Sequence, residues 1–97
     1  MEVKFKKLNT NATLTTQGSS KAAGYDLYAC LTSKQTIFPH TTKLIHTGLA
    51  IKPPEGYFGM IVARSGIATI RGLRPANCVG ICDEDYRGEY LVAIHND

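Results

Sequence analysis

Apolar positions along this chain come in short runs, each cut off within a few residues by turn-forming ones. Val3-Lys4-Phe5-Lys6 alternates apolar with basic, which predicts a half-exposed strand near a sheet edge, where lysines discourage unwanted pairing. Residues 9–21 are polar, rich in Thr, Ser and Asn, and read as a loop. From Gly24 the chain becomes Tyr25-Asp26-Leu27-Tyr28-Ala29-Cys30-Leu31. On a strand, Tyr25, Leu27, Ala29 and Leu31 share one face and Asp26, Tyr28 and Cys30 the other. Thr36-Ile37-Phe38, Lys43 to His46 and Leu49-Ala50-Ile51 predict further short segments, punctuated by Pro39, Gly48 and the turn Pro53-Pro54-Glu55-Gly56. Tyr57-Phe58-Gly59-Met60-Ile61-Val62-Ala63 is almost wholly apolar and predicts a strand buried on both faces. Ser65 to Gly72 suits a short helix, with Ser65 capping it and Gly72 ending it. No stretch has the length and periodicity of a long amphipathic helix. Short strands with regular turn signals make the fold all-β: a sandwich, jelly roll or barrel.

One stretch breaks the pattern of plain turns. In Gly80-Ile81-Cys82-Asp83-Glu84-Asp85-Tyr86-Arg87-Gly88-Glu89, four carboxylates crowd into seven positions with a ring and a guanidinium among them. Apolar β-type runs flank it, so it reads as a hairpin with a charged tip. Charges placed for solubility would explain the acids, but solubility does not require Tyr86. Asp83 directly follows an apolar run whose backbone a sheet should hold, and a carboxylate fixed at a strand end suits the positioning of a water.

Composition narrows the classes. Ninety-seven residues, 43% of them hydrophobic, make one domain, residues 1–97, whose modest core makes oligomerisation a natural support. The net charge of +3 and pI of about 8.8 are mild, and only Lys4, Lys6 and Lys7 cluster, so no nucleic acid is expected as a partner. An anionic small molecule remains compatible. Cys30, Cys78 and Cys82 are odd in number and form no C-x-x-C pair, which argues against a disulfide framework or zinc site and for a reducing compartment. The start, Met1 to Lys7, lacks a signal peptide's apolar run, and nothing later approaches a membrane span. The expectation is a soluble cytoplasmic domain (nuclear or host-cell interior for a viral chain), not secreted and without a membrane partner.

Two further groups carry chemistry. Arg64-Ser65-Gly66 offers a guanidinium fork, a hydroxyl and an unobstructed N–H, which suits phosphate oxygens; a helix start beside a surface Arg explains the same three residues. Asp26 is a lone carboxylate at a strand start, either a turn residue or a ligand to Mg²⁺, which keeps its waters and needs few carboxylates. His40, His46 and His95 show no ligand spacing, and there is no P-loop, no G-x-G-x-x-G and no nucleophile elbow around Ser65.

In order and spacing these groups resemble a known family. Ala23-Gly24-Tyr25-Asp26-Leu27-Tyr28-Ala29, Arg64-Ser65-Gly66-Ile67-Ala68 and Gly80 to Glu89 are similar to the first three motifs of the trimeric dUTPases. Pro53 to Gly59 and Asn77 resemble the family too. The resemblance runs from about residue 3 to residue 96. It implies a distorted jelly-roll, β-clip type fold, a homotrimer with sites at subunit interfaces, and hydrolysis of dUTP to dUMP and pyrophosphate with Mg²⁺ on the triphosphate. Carried over residue by residue, Asp83 would orient and deprotonate the attacking water, and Asp26 would hold Mg²⁺ through its water shell. Arg64, Ser65 and Gly66 would hold phosphates. Asn77, Gly80, Ile81, Cys82 and Leu91 would read uracil, and Tyr86 would pack under the deoxyribose. Glu84, Asp85 and Glu89 would hold the turn or pair with Arg87, and Asp26 with Arg64 to Gly66 would meet the third motif from a neighbouring subunit. Ala63 and Cys82 depart from the family's usual Pro and aliphatic residue. The family's fourth and fifth motifs are not among the 97 residues, so the fold as given is incomplete at its C-terminal side, as part of a longer chain or a truncated form. Two alternatives stay open: a dUTPase-like nucleotide-binding or regulatory protein without hydrolysis, and an enzyme of the dCTP deaminase type, which usually has Glu at position 83 and no Tyr at 86.

Overall fold

Six strands and one short helix follow in the order β1 (Lys4–Lys7), β2 (Thr42–Lys52), β3 (Gly59–Ile61), α1 (Ser65–Arg71), β4 (Leu73–Pro75), β5 (Gly80–Cys82) and β6 (Glu89–Asn96). This is a computed structural model, and it describes residues 1–97. Two antiparallel sheets result: a four-stranded one ordered β1-β2-β6-β4 and a two-stranded ribbon of β3 and β5. The lysine-rich β1 lies at a sheet edge, where its alternation placed it.

The backbone of the fold is β2. Its pairing with β6 runs from Thr42↔His95 to His46↔Leu91, slips, and resumes at Ala50↔Glu89. Gly48 therefore interrupts one strand rather than separating two, as the sequence suggested. Its φ of +70° belongs to a bulge, and a Cβ there would stand 2.8 Å from the Ala12 Cβ. Around this bulge sits the small core of Ala12, Thr47, Leu49, Ala50 and Tyr90. Buried Thr47 is satisfied: its hydroxyl donates to the Tyr90 carbonyl at 2.7 Å and accepts the Leu49 N–H at 3.2 Å.

Four expectations are corrected. Residues 25–31 are not a strand: Asp26 bridges only Thr16, and the Cys30 N–H reaches the His46 carbonyl at 2.8 Å, so no continuous partner exists. Residues 36–38 are not one either, because the Asn96 amide takes the Ile37 carbonyl and Thr41 takes that of Phe38. The apolar run 57–63 is a strand only over Gly59–Ile61, and the chain leaves Tyr57, Phe58, Met60 and Val62 between 55% and 61% exposed. Finally, Arg64 and not Ser65 is the N-cap of α1, with extended backbone and no side-chain cap bond; Gly72 does end the helix, at φ +67°.

The acidic stretch is not a hairpin. β5 pairs with β3, while β6 pairs with β2 and β4, so residues 83–88 step from the ribbon to the four-stranded sheet. The structural consequence is that Asp83 directly follows the ribbon and Glu89 begins a strand of the other sheet.

Candidate active site

The connection between the sheets is tied by its own groups. The Tyr86 N–H donates to the Asp83 carbonyl at 3.0 Å, closing a tight turn. Arg87 Nη1 donates to the carbonyls of Glu84 (2.7 Å) and Tyr86 (3.0 Å), so the guanidinium braces backbone and pairs with none of the carboxylates proposed for it. The Tyr86 hydroxyl donates to the Glu89 carbonyl at 2.7 Å. That hydroxyl passes so close to Gly88 that a Cβ there would lie 2.6 Å away. The Tyr86 ring is therefore held in one orientation while remaining 40% exposed.

The carboxylates divide their work. Glu84 Oε2 accepts the Gly56 N–H at 3.1 Å, tying the turn to the Pro53-to-Gly56 turn. Glu89 accepts the Gly48 N–H at 2.8 Å and faces His46 Nδ1 at 3.1 Å, clamping the β2 bulge. Desolvation raises the Glu89 pKa, but these donors outweigh it and the net shift is downward. Asp83 is exposed, and its carbonyl rather than its carboxylate closes the turn. Beside it, burial pushes the Cys82 thiol up. Ile81 and Leu91 are 56% and 39% exposed, and Gly80 lies against the Asn77 amide, which a Cβ at Gly80 would meet at 3.5 Å.

A second group lies elsewhere. A cleft of about 430 Å³, walled by apolar side chains such as Leu27, Ile45, Val92 and Ile94, opens beside Asp26 and Arg64. Arg64 Nε stands 3.6 Å from Asp26 Oδ1, with side chains 68% and 33% exposed. Ser65 and Gly66 open α1 with exposed side and N–H faces, and nothing lies within 4 Å of a Cβ at Gly66. One chain thus brings Asp26 to Arg64, and Asn77 to Gly80, but Asp83 and Tyr86 do not line the Asp26 cleft. No three His, Cys, Asp or Glu residues gather to form a metal cage. A single half-exposed carboxylate at an open cleft does fit Mg²⁺, which takes most of its oxygens from water and phosphate.

Sequence reasoning missed the clamp at Glu89 and the place of Tyr90. Glu89 and His46 are 43 residues apart and carry no local pattern that announces a pair. Tyr90 reads as one more apolar strand residue, yet it is 4% exposed.

Comparison with known proteins adds four findings. A family model described as dUTPase matches residues 10–97. A deoxyuridine 5'-triphosphate nucleotidohydrolase of Syntrophotalea carbinolica is 39% identical over 94 residues, covering 97% of this chain and 64% of its own length. A mutant dUTPase of Staphylococcus bacteriophage 80alpha, solved with dUpNHpp, superposes with a TM-score of 0.88 at 30% identity, over 99% of this chain and 54% of that one. A mutant dUTPase from phage phi11 of S. aureus, whose structure reveals coordination of a structural Mg(II) ion, gives 0.87 at 28% identity, over 99% and 60%. These likenesses put the two-sheet arrangement in the jelly-roll, β-clip type of all-β fold. The chain spans less than two thirds of the length of these three proteins.

Proposed function

Because the chain belongs to the dUTPase family, we propose that it hydrolyses dUTP to dUMP and pyrophosphate, as a homotrimer. The observation that carries the reading is the step from β5 to β6. It presents Asp83 at the end of a paired strand, exposed, beside a Tyr86 ring locked by the Glu89 carbonyl. In this reading Asp83 orients a water against the α-phosphorus and takes its proton, a role that contributes roughly 10²–10⁴ in rate. Asn77 and the backbone of Gly80, Ile81, Cys82 and Leu91 read the uracil edge. A base that contradicts their donor and acceptor pattern leaves a buried polar group unpaired, at about 1–3 kcal/mol. The Tyr86 ring needs only to fill the space of a 2′-hydroxyl to exclude ribose.

Arg64, Ser65 and Gly66 hold phosphate oxygens through the guanidinium, the hydroxyl and the free N–H groups. Asp26 holds Mg²⁺ through water. The ion, when bound with the triphosphate, supplies positive charge against the developing negative charge. In one chain the Asp26 cleft is not walled by Asp83 or Tyr86, and a trimer lets one subunit's Asp26 and Arg64 face another's third motif.

The test is Asp83→Asn. The variant should bind a non-hydrolysable dUTP analogue as the parent does, by calorimetry, and release pyrophosphate at least about 10²-fold more slowly. Undiminished release would remove Asp83 from the role.

A further inference from the structure

Tyr90 is the only buried aromatic residue; the other seven are 39–67% exposed. Its backbone belongs to the four-stranded sheet, in β6, where its carbonyl accepts the Thr47 hydroxyl at 2.7 Å. Its side chain crosses to the ribbon. A Cβ at Gly59 would stand 2.5 Å from the Tyr90 hydroxyl and 3.2 Å from Cε2 and Cζ. Gly59 is the register partner of Cys82, the residue before Asp83, and the Cys82 thiol faces the same hydroxyl. On its other side the Tyr90 ring meets that of Tyr86, with centroids 6.2 Å apart at 38°.

Gly59 is absent from the glycines with positive φ, so its backbone does not call for glycine. What calls for it is the room taken by the phenol.

We infer that Tyr90 is a positioning residue. Held in one sheet by its backbone and packed against Gly59 of the ribbon by its phenol, it sets where Asp83 stands relative to the Tyr86 ring. The inference rests on the hydrolytic reading for its consequence, but its physical content is the link between the sheets. Burial first, and the Cys82 thiol next, push the Tyr90 pKa to about 12, so the phenol keeps its proton across the neutral range.

The experiment compares Tyr90→Phe, Gly59→Ala and the double variant in the intact protein, by dUTP turnover and by the rate of Cys82 alkylation with iodoacetamide, located by peptide mass. Tyr90→Phe keeps the ring, and should lower kcat roughly tenfold with KM within about twofold, because small displacements of a reacting group are costly. Gly59→Ala should cost more, on the order of 10²-fold, by driving a methyl into the hydroxyl. The double variant should recover above Gly59→Ala, since removing the hydroxyl removes the collision. The limiting Cys82 alkylation rate at high pH, which reports access apart from the thiol's pKa, should rise several-fold in Tyr90→Phe; at neutral pH, loss of the phenol that lowers this pKa would by itself slow the reaction. Parental kcat in Tyr90→Phe, purely additive losses in the double variant, or an unchanged alkylation rate would each overturn the inference. A parent protein that turns over no dUTP while Tyr90→Phe still exposes Cys82 would defeat the hydrolytic reading and leave the link between the sheets standing.

Discussion

Glu89 serves through two sets of atoms. Its carboxylate holds the Gly48 N–H and His46 across the β2 bulge, and its carbonyl holds the Tyr86 hydroxyl. A loss of charge there touches both the fold and the ring proposed to face the sugar. Because the folded-state pKa lies below the ordinary value of about 4.3, the group stabilises the protein above that value, and the contribution is lost as pH falls through the folded pKa. The parent should therefore lose melting temperature steeply below about pH 4.3, and Glu89→Gln should show a shallower fall over the same range. Parallel melting curves from pH 7 to pH 3 would show that the clamp contributes nothing. Tyr90, a few ångströms away in the same strand, acts by shape instead, and its buried phenol gives no pH dependence in that range.

Among the elements, β2 shows how one residue changes what a strand can do. Without the bulge, β2 would pair with the eight-residue β6 in a single register, with Gly48 opposite Glu89. Gly48 breaks that register, and the slip sets Ala50 opposite Glu89, whose carboxylate takes the Gly48 N–H. Gly48→Ala would place a β-carbon in left-handed backbone and 2.8 Å from the Ala12 Cβ. It should destabilise by roughly 2 kcal/mol, seen as a lower urea midpoint with unchanged slope. The step from β5 to β6 shows the converse: its strands choose other partners, so an apparent hairpin becomes a bridge between sheets. That bridge puts Asp83 and Glu89, six positions apart, on different sheets.

For the whole molecule, the exposed surface is 6992 Å², where a compact protein of 10.6 kDa would show about 5,500 Å². Only eight of 97 residues are buried. Phe58, Met60, Val62 and Ile81 on or near the ribbon are 55–61% exposed, more apolar surface than a lone domain ordinarily leaves to water. A homotrimer would cover such surface and bring the Asp26 cleft to a neighbour's Asp83. Light scattering after size exclusion should give a particle of three chains at micromolar concentration. A monomer with full dUTP turnover would overturn the shared-site arrangement.

The residues by themselves determined the fold class and the family. Short apolar runs between turn signals specify an all-β fold, lysines mark the edge strand, Gly72 stops the helix, and the three ordered motifs name the family later matched over residues 10–97. These features are local, written in neighbouring positions or in backbone geometry that only glycine accepts readily. Tertiary structure decided what depends on partners far away in the chain. An apolar run becomes a strand only where another strand supplies its hydrogen bonds, which residues 25–31 and 36–38 lack. An acidic turn becomes a hairpin only if its flanking strands choose each other, and β5 and β6 do not. The pairing of Glu89 with His46 and the reach of Tyr90 to Gly59 arise when two sheets meet, and no spacing along the chain encodes that meeting.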